Sequence, residues 1–416
     1  MLIVKKFGGT SVANKERIYN VARRCIEDYK KGHSVVVVLS AMGDTTDDLL
    51  ALANDINPKA NKRELDMLLT TGEQVSVSLM AMAMHAMDVP AVSLNAFQVG
   101  MNCTSRYGNA RFKRIDTDRI NHELDSRKIV IVTGFQGITK YDDYATLGRG
   151  GSDTTAVALA AVLHADLCEI YTDVDGVYTA DPRIVPNARK LPEITYDEML
   201  ELATAGAKVL HNRSVEMAKK YSVPMVVRSS LNESEGTIVK EVVKMEKMLI
   251  TGVAADKNTA RISVIGVEDR PGIAFKIFNK LAKNNINVDI ILQSVGRDGT
   301  KDISFTVSQD DLKDALTILE ENKEPLTIKN ITHNEGVAKV SIVGAGMMTN
   351  PGVASKLFEA LFNYGININM ISTSEIRITV LVEESEIDKA VRARNLILQN
   401  KICKAKGGRI SVLYLC

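Results

Sequence analysis

Residues 34–43 read SVVVVLSAMG, and this run decides the fold. Its apolar residues follow one another without alternation and break at small ones, the look of a strand buried on both faces in a parallel sheet. The same form recurs on either side. LIVKKF (2–7) is a first strand ended by Gly8-Gly9, and a helix is expected from about Asn14 to Lys31, with Asn14 as N-cap and Gly32 at the C-terminal end. KIVIVTGFQG (128–137) and DLCEIYTDVDG (166–176) repeat the pattern, the second after the helical TTAVALAAVLHA (154–165). Strands alternating with helices over roughly 230 residues predict an α/β domain with a mainly parallel sheet. Ligands of such sheets bind beyond the carboxyl ends of the strands. The polar, glycine-rich turns all fall there: Gly8-Gly9, Ser40 to Thr46, Gly134 to Gly137, and Thr172 to Arg183.

The stretch NESEGTIVKEVVKMEK (232–247) reads as a boundary, and a repeat begins soon after it. ISVIGVEDRPGIAFKIFNKLAKNNINVDII (262–291) resembles VSIVGAGMMTNPGVASKLFEALFNYGININMI (340–371). Pro271-Gly272 matches Pro351-Gly352, Phe278 matches Phe358, and Ile286-Asn287 matches Ile366-Asn367, each 80 residues apart. Each copy predicts strand, Pro-Gly turn, amphipathic helix, Asn-containing turn, strand, then a further strand and helix. That is the ferredoxin-like βαββαβ order, in a pair of small packed domains.

The 416 residues are ample for two or three domains, and 52 Lys plus Arg against 51 Asp plus Glu leave the chain nearly neutral. That balance argues against a broad nucleic-acid surface or an anionic-membrane binder. Cys25, Cys103, Cys168, Cys403 and Cys416 are scattered without ligand spacing, as expected of reduced thiols in a cytoplasmic protein. The start MLIVKKFGGTS has too short an apolar run for a signal peptide, and no span approaches transmembrane length.

Candidate chemistry sits in the turns. There is no Gly-Lys dipeptide, which excludes a Walker-type phosphate loop, and the protein-kinase landmarks HRD and DFG are missing. VKKFGGTS (4–11) offers another route to phosphate, an anion nest of backbone N–H groups within reach of Lys6; an ordinary strand turn is the alternative. GRGGSDTT (148–155) sets Arg149 and Asp153 four residues apart in a glycine hinge at the mouth of a helix. A forked donor and a carboxylate there suit a small zwitterion, or a phosphate with a structural N-cap. LSAMGDTTDDL (39–49) supplies Ser40, Thr45 and Thr46, or merely a capped helix start at Asp44 or Thr45. TTGEQVS (70–76) puts Glu73 at a helix start, where a dipole-stabilised carboxylate is ordinary. The methionines of VSLMAMAMHAM (77–87) read as core and His85 as partly buried, while YTDVDGVYTADPR (171–183) suits a nucleotide site or an acidic surface turn.

Six segments, VKKFGGTSV, LSAMGDTTDDLL, TTGEQVS, TLGRGGSDTTAVALAAVLHA, YTDVDGVYTADPR and ELATAGAKVLHNRSVE, resemble in this order the signatures of aspartate kinases. The C-terminal repeats resemble the paired ACT domains that regulate those enzymes, in the monofunctional type. The resemblance implies an amino-acid-kinase α/β/α sandwich over residues 1–245, then ACT domains over 249–335 and 336–416 with strands exchanged between them. It implies ATP, Mg²⁺ held through ATP phosphates, and phosphorylation of L-aspartate to 4-phospho-L-aspartate. It assigns Lys6 to the space between the β-carboxylate and the γ-phosphate, Arg149 to the α-carboxylate and Asp153 to the amine. Ser40, Thr46, Glu73, Gly150, Gly151 and Ser152 would line the aspartate pocket. Gly8, Gly9, Thr172, Asp173, Tyr178, Asp181, Arg183 and Lys208 would meet the nucleotide. Lysine or threonine, or both, would act as inhibitors at Asp269, Gly272, Ala274, Asn287, Gln293, Val353, Asn367 and Ser374. The ACT domains would build a homo-oligomer, and an internal start at Met245 or Met248 would add a shorter regulatory subunit unless these are ordinary linker methionines.

Overall fold

The structure, a computed structural model, describes residues 1–207, 209–242, 249–294, 299–348 and 350–399. Contacts divide the chain into two compact units. The first holds Met1–Tyr178, Arg189–Thr204 and the described part of 208–246; the second holds Thr179–Ala188, Ala205–Ala207 and the described residues beyond. The span expected for the catalytic domain thus lends two short segments to the second unit, where Ala180 and Val185 enter the apolar core.

The main sheet of the first unit runs β10 (Glu193–Thr195), β12 (Thr237–Lys240), β11 (Met225–Ser229), β9 (Leu167–Thr172), β1 (Leu2–Phe7), β2 (Ser34–Leu39), β6 (Ile129–Thr133) and β3 (Ala91–Leu94). Every pair is parallel except β11 with β12. A smaller sheet holds β5 (Phe112–Ile115), β4 (Met101–Cys103), β7 (Gln136–Ile138) and β8 (Tyr144–Thr146). The run 128–137 is therefore split: β6 stops at Thr133, and a bend at Gly134-Phe135 sends the chain into the second sheet.

The helices of this unit are α1 (Lys15–Lys30), α2 (Thr45–Ile56), α3 (Lys62–Leu69), α4 (Thr71–His85), α5 (Ala96–Val99), α6 (Asp118–Asp125), α7 (Gly151–Val162), α8 (Tyr196–Thr204) and α9 (Asn212–Lys220). Asn14 caps α1 by accepting from Arg17 N, and Gly32 follows with φ +88°. Helices α1 and α4 cover one face of the sheet, packing Cys25, Ile26, Met80 and Met84 against Val35, Val37 and Leu39. Helix α7 lies against β1, β2 and β9, with α9 packed on it. His85 is exposed rather than partly buried, because it ends α4 and only its Nε2 meets Ala91 O, at 2.9 Å. Among the described residues no helix is long and apolar enough to cross a membrane.

The second unit contains two four-stranded antiparallel sheets. One has the order β15 (Ile291–Gln293), β16 (Thr300–Val307), β14 (Ala260–Glu268), β17 (Asn330–Asn334), with α10 (Ile273–Lys283) and α11 (Gln309–Glu321) on its core. That is the ferredoxin-like βαββαβ order. The other has β13 (Gly252–Asp256), β18 (Val337–Val343), β20 (Arg377–Glu383) and β19 (Met370–Thr373), with α12 (Val353–Asn363) and α13 (Ile387–Gln399). Its edge beside β18 is filled by β13, which precedes the first sheet in sequence. The final strand expected of this repeat lies beyond residue 400, outside the described residues. Lys339 of β18 is buried, with its ammonium 2.7 Å from Asp289 and 3.4 Å from Asp256.

Candidate active site

Successive side chains of a strand face opposite ways, so Lys5 and Lys6 of β1 part company. Lys5 is sealed against α1, its ammonium 2.7 Å from Asp28 and 2.5 Å from Glu169. Lys6 faces α7 and stands 2.7 Å from Asp153 Oδ1. The pair is close but not aligned as a hydrogen bond, which leaves Asp153 Oδ1 a buried acceptor without one.

Asp153 and Ser152 occupy the first turn of α7. The turn before it needs glycine: Gly148 and Gly150 have φ of +79° and +68°, and a Cβ on Gly150 would stand 2.3 Å from the His211 ring. Ser40, just past β2, donates to Ser152 Oγ at 2.9 Å. The loops after β1 and β2 lie backbone to backbone, with Gly43 N donating to Gly9 O at 3.0 Å. A Cβ on Gly9 would meet Ala41 O at 2.7 Å, whereas one on Gly8 would meet nothing nearer than Lys6 Nζ at 3.5 Å. Backbone here is open toward the lysine. Arg149 is exposed on the same turn, and Thr46 is half-buried in the first turn of α2, whose cap Asp44 makes no side-chain bond.

Glu73 lies in the first turn of α4, as expected, and is buried there. Its Oε1 accepts from Ala41 N at 3.1 Å, and Oε2 has no hydrogen-bond partner. Burial pushes the carboxyl up to about 7, against the lowering effect of the Ala41 amide. A buried carboxylate with a vacant oxygen is suited to receiving a cation.

The strand next to β1 ends in the expected nucleotide loop. Thr172 closes β9, donating from its hydroxyl to Asp173 Oδ1 at 2.9 Å and accepting Ser230 N at its carbonyl. Tyr178 OH donates to Asp175 Oδ1 at 2.9 Å, and Lys190 reaches the other oxygen at 3.3 Å. Asp181 and Arg183 pair with each other at 2.7 Å in the segment that packs with the second unit. Lys208, Met245 and Met248 lie outside the described residues.

In the second unit Gly272 and Gly352 cap α10 and α12 with φ of +88° and +86°. Asp269 is 2.6 Å from Lys301, so an ammonium ligand would share it. Ala274 is half-buried and Val353 buried at these helix starts, whereas Asn287, Asn367, Gln293 and Ser374 are exposed.

The sequence reading passed over His211. Its ring fills the space at Gly150, its Nδ1 is buried without a hydrogen bond, and burial lowers its pKa. Its place inside ELATAGAKVLHNRSVE was the one available signal. Among the described residues no group of three or more His, Cys, Asp or Glu is placed to hold a metal ion.

A lysine beside a glycine turn, with a buried carboxylate and a hydrogen-bonded serine pair, stands at the carboxyl edge of a parallel sheet without a Walker loop, an arrangement suited to phosphoryl transfer. Residues 1–229 match the amino acid kinase family, and residues 260–324 and 340–394 each match the ACT domain. The aspartokinase of Bacillus sp. (strain MGA3) is 53% identical over 393 residues, covering 94% of this chain and 96% of that one. Crystal structures of E. coli aspartokinase III are similar as well. The form with aspartate and ADP (R-state) is 28% identical with a TM-score of 0.82, covering 95% of this chain and 100% of that one. The form with lysine and aspartate (T-state) is 27% identical with a TM-score of 0.72, covering 95% and 99%. The chain belongs to the amino acid kinase family, in its aspartokinase branch, and carries two ACT domains. It is an aspartate kinase that uses ATP and is regulated through those domains.

Proposed function

We propose that the reaction takes place where Lys6 meets Asp153, with each neighbouring group assigned as follows. Aspartate lies with its α-carboxylate on Arg149 and its ammonium between Glu73 and Asp153. Its β-carboxylate points to Lys6, while Ser40, Thr46 and Ser152 line the pocket. A side-chain carboxylate with an ordinary pKa near 3.9 is already an anionic nucleophile at neutral pH, so no general base is needed. The obstacle is bringing that anion to the γ-phosphate. Lys6 and the Gly8-Gly9 amides neutralise and orient the two, stabilising a loose transition state in which the carboxylate oxygen bonds to phosphorus as ADP leaves. Thr172, Asp173, Tyr178, Asp181, Arg183 and Lys208 are assigned to the nucleotide. The described residues offer no metal-ligand cluster of their own, so Mg²⁺ brought in with the nucleotide would supply further charge neutralisation there, consistent with this ion's habit of binding through substrate phosphates. Lysine or threonine, singly or together, acts at the ACT units, which also carry the homo-oligomer. The free, buried thiols of Cys25, Cys103 and Cys168 fit a reducing cytoplasm.

The observation that supports this reading is the 2.7 Å approach of Lys6 to Asp153, beside a buried carboxylate with a vacant oxygen. Its test is steady-state kinetics with aspartate, ATP and Mg²⁺, with and without lysine and threonine. Lys6→Ala should lower kcat by about 100-fold or more, on the order of 3 kcal/mol, because the lysine acts on charge that moves in the transition state. Nucleotide affinity should change little. Near-normal turnover would remove Lys6 from the reaction.

A further inference from the structure

The turn that carries Arg149 is gripped at its root by an anion and a cation on adjacent residues. Asp66 of α3 is buried, and both of its oxygens are taken. Oδ2 accepts Thr146 N and Gly108 N, each at 2.8 Å, and Oδ1 accepts the Thr146 hydroxyl at 2.8 Å. On the next residue Arg213 of α9 donates Nη1 to Leu147 O at 2.7 Å, and Nη2 reaches Ala110 O at 2.9 Å. Ala110 N in turn donates to Thr146 O at 2.8 Å. Three residues from Thr146 the chain reaches Arg149. Between them stands Gly148, in the left-handed region, where the backbone would otherwise swing.

We propose that Asp66 and Arg213 are positioning residues for Arg149, fixing Thr146 and Leu147 so that the guanidinium is preset for the α-carboxylate of aspartate. The proposal rests on the assignment of Arg149 made above. The physical case is one of division of labour. A buried carboxylate is held there only when its acceptors are filled, and Asp66 fills them with two donors from the end of β8 and one from the Gly108 turn, with no cation among them. Arg213 spends its fork on the main-chain carbonyls of Leu147 and Ala110, with Asn109 Oδ1 as a further acceptor of Nη1 at 3.2 Å, and not on a carboxylate. Together they brace a segment that is otherwise held by the short pairing of β8 with β7 and by Leu147 N donating to Phe135 O at 2.9 Å. A guanidinium preset in this way loses less side-chain freedom on binding.

Kinetics of the full-length enzyme test this. Asp66→Asn turns at least one acceptor into a donor, and Arg213→Lys keeps the charge but not the fork. Each should raise the KM for aspartate roughly 10-fold while kcat and the KM for ATP stay within about twofold. Thr146→Val, which removes only the hydroxyl donor, should give a smaller rise in the same parameter. It carries the test if Asp66→Asn does not fold. Placed on Arg149→Ala, the Asp66→Asn change should add less than about twofold, since it acts through a guanidinium no longer there. The proposal is overturned if Asp66→Asn raises the aspartate KM equally in both backgrounds, or if it alters both KM values alike. An Arg149→Ala enzyme with an unchanged aspartate KM would instead remove the assignment of Arg149, and the clamp's purpose with it.

Discussion

Glu73 is only about half ionised at neutral pH, where most glutamates have lost their proton, because burial raises its carboxyl from an ordinary 4.5 to about 7. The sign of the linkage follows. A group that binds its proton more tightly when folded adds stability that is fully present below about pH 4.5 and lost as pH rises through about 7. In the ligand-free enzyme this amounts to about 3 kcal/mol at most. Glu73→Gln removes the dependence, so in thermal melts between about pH 5 and pH 8.5 the variant should gain on the parent as pH rises. A gap that does not change with pH would mean that Glu73 is already ionised at the acid end. In the parent enzyme the KM for aspartate should fall over the same interval, since an ionised Glu73 is the better partner for an ammonium group.

Strand β1 shows how one element serves both stability and chemistry. Its Lys-Lys dipeptide sends one cation into a sealed ionic cluster against α1 and the other to the site. Burial alone would lower the Lys5 pKa; Glu169 and then Tyr171 outweigh it and hold the ammonium charged. Slipping β1 by one residue would turn each lysine to the opposite face, so the cluster also fixes the register on which Lys6 depends. Lys5→Met should destabilise the enzyme by about 3 kcal/mol in denaturant unfolding, by leaving the buried Glu169 with only the more distant Arg228 at 3.3 Å as a cation partner and the half-buried Asp28 with Lys31 alone. Adding Glu169→Leu should recover part of that loss; a double variant weaker than the single would refute the cost of an orphaned charge. Such features mark the limit of what the sequence discloses. The apolar runs at 2–7 and 34–39 and the glycine turns after them announced a parallel sheet, because burial on both faces leaves a continuous apolar pattern. Lys6, Ser40, Glu73 and Arg149 to Asp153 were nominated from turns at one edge of that sheet. The roles of Lys5, Asp66, His211 and Arg213 were illegible, because each depends on partners far away in the chain. The burial of Glu73 was hidden for the same reason: its place in a first helical turn says nothing of exposure until the Ala41 loop packed on it is known.

Regulation belongs to the whole molecule and obeys reciprocity. If lysine lowers the affinity for aspartate, aspartate must lower the affinity for lysine by the same factor, of about 5–150-fold for a coupling of about 1–3 kcal/mol. Calorimetric titration of the full-length enzyme with lysine, with and without saturating aspartate and a non-hydrolysable ATP analogue, reads this directly. Equal lysine affinities in both conditions would show that any inhibition comes without coupled binding. Within the second unit, Lys339 ties Asp289, close to the Asn287 turn, to Asp256 of β13, so one buried cation joins the two sheets. The same strand has a consequence for how the protein is made. Strand β13 leaves the ribosome 85 residues ahead of β18, its only partner in the sheet among the described residues. At about 5–20 residues per second it waits roughly 4–17 s with its edge unpaired. A whole repeat is synthesised in that interval, so the sheet that holds β13 can close only after the first repeat has emerged, around a strand that preceded it.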